Sequence, residues 1–202
     1  MANTAVVHEH PHHPEPYTAT GLPTLKLGFW VFLGSETLFF GSLISMYMVY
    51  KHESVVGPYS TELLDIPLTS ISTFVLLMSS LAMVIALDQV QQGSRRGGAI
   101  GIAAVAVLGS LFLGFQAYEF THFYHEGLTL QTNLFGSSFF VLTGFHGAHV
   151  SLGVIWLLVL LIQLLRGGLP PGKSLQLEIA GLYWHFVDIV WIAIFTLVYL
   201  IE

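Results

Sequence analysis

The chain alternates long apolar runs with short polar ones. Five runs stand out, at residues 25–49, 67–87, 99–120, 134–165 and 175–201. A helix needs about 20 predominantly apolar residues to cross the hydrocarbon core of a bilayer. Inside lipid, backbone N–H and C=O groups must be paired within the structure, which leaves helices or a closed barrel. Barrel strands would show segments of about ten residues with alternating polarity. These runs are continuous and about twice as long. The pattern predicts an all-α integral membrane protein, a bundle of five transmembrane helices. The fourth run, at about 1.5 Å per residue, outreaches the hydrocarbon core and is expected to tilt or project. Breakers mark the connections: Gly57-Pro58 in the first, Gly93 and Gly97-Gly98 in the second, and Gly167-Gly168 with Pro170-Pro171 in the fourth. No connection is long enough for a soluble domain, and no internal repeat is visible.

Composition agrees and narrows the function. Of 202 residues, 54% are hydrophobic and 9% charged. A soluble domain has about 25% charged residues, so a soluble enzyme is excluded. Six basic residues are too few for nucleic-acid binding. With no cysteine there is no disulfide framework, thiolate metal site or cysteine nucleophile. Five crossings put the termini on opposite sides. Lys26, Arg95, Arg96, Arg166 and Lys173 fall on one side and only Lys51 on the other. The excess of basic residues predicts a cytoplasmic N-terminus and an external C-terminus.

Residues 1–24 read as a flexible tail ahead of a transmembrane domain at 25–202. The tail sets His8, His10, His12 and His13 among Glu9, Glu15, Pro11, Pro14 and Pro16. It has no basic segment followed by an apolar one, so it does not read as a signal peptide. It is either a solvated tail or a weak metal-binding tract.

Ionisable side chains within spans are costly and mark function by default. Glu36 lies near the middle of the first span, as a proton-relay or lipid-contacting carboxyl or as a buried hydrogen-bonding group. His146 and His149 are three apart on the fourth helix and share a broad face. The pair could hold a metal or join helices by hydrogen bonds. Being one turn apart, the two cannot ligate both faces of one haem. Glu178, His185 and Asp188 project from one broad face of the fifth helix, which must look into protein. Gln116 and Glu119 form a further polar pair near the end of the third. No phosphate loop, catalytic triad or metalloprotease motif is present.

Three stretches carry a resemblance. Gly28-Phe29-Trp30-Val31-Phe32-Leu33-Gly34-Ser35-Glu36, Gly144-Phe145-His146-Gly147-Ala148-His149-Val150 and Tyr183-Trp184-His185-Phe186-Val187-Asp188-Ile189-Val190-Trp191 occur in that order. They resemble subunit III of the haem-copper respiratory oxidases, over nearly the whole chain after the tail, in its short five-helix bacterial form. The resemblance implies a multi-pass protein of the bacterial cell membrane, one subunit of a proton-pumping oxidase. It implies no catalytic, cofactor-binding or metal-binding residue in this chain. Haem and copper are expected in the partner subunits I and II, and phospholipid in a cleft between helices. Glu36, Glu119, His146, His149, Glu178, His185 and Asp188 are then buried proton or lipid contacts. Such a subunit supports assembly and proton uptake. Cytochrome c is preferred to quinol as donor on its frequency in the family, and the related subunit of a nitric oxide reductase is a further alternative.

Outside the family, a small proton channel or transporter could be built around Glu36 and the fifth helix. Transporters show inverted repeats and helices broken at the midplane, and neither is visible. The embedded polar groups are expected to exceed what a lone five-helix bundle can satisfy, and so to require a partner chain.

Overall fold

The structure is a computed structural model and describes residues 21, 23–51, 53, 65–167 and 175–201. Its elements are helices: α1 (Thr24–Tyr50), α2 (Ile66–Gln91), α3 (Arg95–His125), α4 (Leu134–Leu165) and α5 (Leu175–Ile194). The last runs on into a π-helical turn, Phe195–Leu200. All five are long and apolar enough to cross a membrane. The 1–24 tail lies almost wholly outside the described residues, as do Gly57-Pro58, Gly168, Pro170-Pro171 and Lys173.

The helix ends have local causes. Asp65 caps α2 by accepting from Leu68 N–H at 3.0 Å, with a proline in the first turn. Ser94 caps α3 and Asn133 caps α4 in the same way, onto Gly97 and Gly136. A side-chain acceptor here satisfies an N–H that the helix cannot. Gly93, Gly127 and Gly167 carry positive φ where α2, α3 and α4 end, a conformation that only glycine takes without strain.

One expected breaker is corrected. Gly97-Gly98 lies inside the first turn of α3, not in a loop. Ser94 starts the helix before the pair, and close packing on α2 needs Gly98 and, one turn on, Gly101: a Cβ at Gly98 would collide with Val90, and one at Gly101 would meet Ala86 at 2.6 Å. The α2–α3 hairpin is thereby drawn tight. The third span therefore starts before its expected 99, and at its other end it runs on past 120 to His125.

Helix α3 packs on α4, and α5 packs against α1, α2 and α4. Half of the central residues of α5 are buried within the chain, against 11% for α1. Helix α1 makes almost no contact with its sequence neighbour α2 and sits instead on α4 and α5. Trp184 and Trp191 anchor the core from α5. The Trp184 ring wedges between Gly109 of α3 and Gly153 of α4, where added Cβ atoms would stand 2.5 and 2.9 Å from it. Both indole N–H groups donate to α2: Trp184 to Ser79 Oγ and Trp191 to Thr73 Oγ1, each at 2.9 Å.

Candidate functional site

The embedded polar residues fall into three clusters at different heights. At the end where α1 begins, Lys26 Nζ pairs with Glu178 Oε2 at 3.2 Å. Gln91 of α2 donates to the other oxygen, Oε1, at 3.4 Å. Two turns along α5, His185 Nδ1 lies 2.6 Å from Ser80 Oγ. Asp188 follows on the inner face, 3% exposed, with no described hydrogen bond to either oxygen.

The second cluster joins α1 to α4. Glu36 Oε2 lies 3.2 Å from His149 Nε2. The other ring nitrogen, Nδ1, is 2.7 Å from the Phe145 carbonyl. A carbonyl can only accept, so Nδ1 carries hydrogen and donates. The remaining contact, between Nε2 and the carboxyl, is then bridged by one proton, held by Glu36 or by His149. Tyr183 of α5 donates to the His149 carbonyl at 3.0 Å and locks the turn.

His146, one turn earlier, leaves this pair and enters the core. Its ring is fully buried and stacks on Trp191 at 4.9 Å, with Phe112 edge-on at 5.8 Å. Neither nitrogen has a described partner. The two histidines therefore do not converge. Among the described residues no three His, Asp or Glu side chains are grouped closely enough to hold a metal.

The third cluster lies at the opposite end. Glu119 Oε1 accepts from Tyr199 at 3.0 Å and Thr69 at 3.2 Å. The π turn helps: Ile201 N–H reaches back five residues to the Thr196 carbonyl, and the wider turn carries Tyr199 toward α3. Gln116 does not share this site. It donates to the Thr143 carbonyl at 2.7 Å and crosses beside Gly147, where a Cβ would meet its amide.

The expectation that these groups require a partner chain is overturned for most of them. Glu36, Glu119, Glu178, His149 and His185 are all partnered within the chain; among the described residues His146 and Asp188 alone of the seven find no hydrogen-bond partner. For Glu119 and His185 the missed partners are hydroxyls, of Thr69 and Tyr199 and of Ser80. The second run looked featureless because it has no charge, yet Thr69, Ser72, Thr73, Ser79 and Ser80 recur along α2. The first four are buried and Ser80 is half-buried. That spacing was the available signal.

Comparison with known proteins decides the family. A family model described as cytochrome c oxidase subunit III matches residues 6–202. The chain belongs to that family. Quinol oxidase subunit 3 of Bacillus subtilis (strain 168) is 45% identical over 174 residues, covering 86% of this chain and 85% of the relative. Probable quinol oxidase subunit 3 of Staphylococcus saprophyticus is 45% identical over 177 residues, covering 87% and 88%. The chain is thus a subunit III of the haem-copper oxidases, a multi-pass protein of the cell membrane that works with catalytic oxidase subunits.

Proposed function

We propose that this chain is the non-redox third subunit of a proton-pumping terminal oxidase that takes electrons from quinol. The observation that carries the donor is the naming of the relatives: chains 45% identical over most of their length are quinol oxidase subunits. This moves the reading from cytochrome c, which family frequency favoured, to quinol. Haem and copper then reside in subunits I and II, and the electron path runs outside this chain.

What the chain contributes is a rigid wall that meets other subunits and lipid. Helix α1 supports this role, because its outer side is uncovered and no described atom would touch a Cβ at Gly28, Gly34 or Gly41. Small residues let a neighbouring helix approach closely. Phospholipid is expected beside it. A groove of about 370 Å³ between α1, α4 and α5, lined by Leu25, Phe29, Trp156 and Val159, suits an acyl chain. The N-terminus faces the cytoplasm: the pairing of Lys26 with Glu178 and the closeness of Arg95 to Gly167 gather four basic residues, Lys26, Arg95, Arg96 and Arg166, at one end of the bundle.

The deciding experiment is purification of the native complex. Haem-containing subunits should accompany this chain, and the complex should oxidise quinol and not reduced cytochrome c. Oxidation of cytochrome c alone would return the donor to the other type. Recovery of a stable haem-free chain would refute the assembly.

A further inference from the structure

Helices α1 and α2 make almost no contact, and at the end where α1 begins α5 lies behind the gap between them. The space between them is a cavity of about 320 Å³. Its polar walls are Lys26 of α1, Gln91 of α2, and Glu178 and His185 of α5. A water takes up roughly 30 Å³ and needs two to four polar partners, so the space is both large and polar enough to be wet. Lys26, Gln91 and Glu178 lie in the terminal turns of their helices, at the level of the membrane surface. His185 lies seven residues further along α5, about 10 Å deeper at 1.5 Å per residue.

Below His185 the polar groups continue. Its Nδ1 is 2.6 Å from Ser80 Oγ. Ser80 also borders Asp188, outside hydrogen-bond geometry. Asp188 is 3% exposed and neither of its oxygens has a described partner. The titratable groups around the space are Lys26 on α1 and Glu178, His185 and Asp188 on α5; α2 supplies Gln91 and Ser80.

The geometry points to a water-filled inlet that delivers protons from the α1 N-terminal face of the membrane to Asp188. A proton from cavity water binds His185 Nε2. The hydrogen on Nδ1 passes to Ser80 Oγ, and, once a side-chain rotation brings Ser80 and Asp188 into hydrogen-bond contact, the hydroxyl's own hydrogen passes to the Asp188 carboxylate. One proton enters and one carboxylate is neutralised; serine is unchanged and histidine has exchanged tautomers. The path stops there. Trp184 and Trp191 flank Asp188 along α5, and their N–H groups are committed to Ser79 and Thr73. The inlet therefore holds a proton and does not pass it across the membrane, unlike a channel. The inference rests on the membrane setting of the bundle and not on the identity of the electron donor.

The absence of cysteine makes a direct test available. Two variants of the intact complex are compared: Leu182→Cys, on the cavity wall, and Ile85→Cys, beside the cavity residue Val84 but 51% exposed on the outer surface of α2. A thiol reacts as its thiolate, which forms where water reaches it, so a charged, membrane-impermeant methanethiosulfonate should label Leu182→Cys at least about tenfold faster. Equal rates, or faster labelling of Ile85→Cys, overturn the inlet. Infrared spectra in D₂O then test delivery. A carboxylic C=O band that shifts on deuteration and is missing in Asp188→Asn is expected, and His185→Phe should slow its shift. No band lost in Asp188→Asn, or an equally fast shift in His185→Phe, overturns the relay. Co-purification of haem subunits judges the proposed function separately.

Discussion

At His149 the bond to the Phe145 carbonyl fixes the Nδ1 hydrogen and leaves Nε2 to share one proton with Glu36, which makes Glu36 testable by single atoms. Glu36→Gln keeps a donor facing Nε2, so the helix contact and most initial oxidase turnover should survive. Glu36→Leu leaves that nitrogen unpartnered, at a cost of about 1–3 kcal/mol, and should lower the thermal midpoint at which this subunit leaves the complex. Immediate loss of all turnover in an assembled Glu36→Gln complex would refute a positional role. The glycines around Trp184 offer a second comparison. Gly109→Ala and Gly153→Ala push a methyl against an indole held from two sides, so each should cost about 1–3 kcal/mol. Gly114→Ala meets nothing within 4 Å and should be neutral or stabilising by up to about 1 kcal/mol, through helix propensity. Calorimetry of the three complexes checks the order.

Among the elements, termini and interfaces differ in what the sequence revealed. The five spans were legible because lipid requires long apolar runs, and their ends agree with the structure to within a few residues except around α3. There Gly97-Gly98 read as a break because glycine serves both turns and close packing, and only the position of Val90 and Ala86 on α2 separates the two uses. The polar pairings were legible by halves. Charges announced Glu36, Glu119 and Glu178, and the histidine motif announced His149, while the hydroxyl, tyrosine and lysine partners of Glu119 and Glu178 lay on other helices at distances no local pattern encodes. Removal of the α2 cap by Asp65→Ala should cost about 1 kcal/mol. The half-exposed Lys26–Glu178 pair matters less, and Lys26→Gln should cost under about 1 kcal/mol, with a salt-dependent remainder. Paired melting curves at low and high ionic strength distinguish them.

For the molecule as a whole, deletion of residues 1–20 should leave assembly intact, because α1 begins at Thr24 and the deleted segment has no apolar run to dock. The yield of haem-containing complex measures it; a large fall would assign the tail a structural role. The avoidance of α2 by α1 has a consequence for synthesis. Partners of α1 are α4 and α5, so the first helix to leave the ribosome has no seat until Leu134 and the residues after it have been made. At roughly 5–20 residues per second that delay is on the order of ten seconds. Glu36 spends it in the bilayer or the insertion machinery without His149. Chains stalled before α4 thus expose an unpaired carboxyl to lipid, a mark by which quality control can tell an unfinished subunit from a finished one.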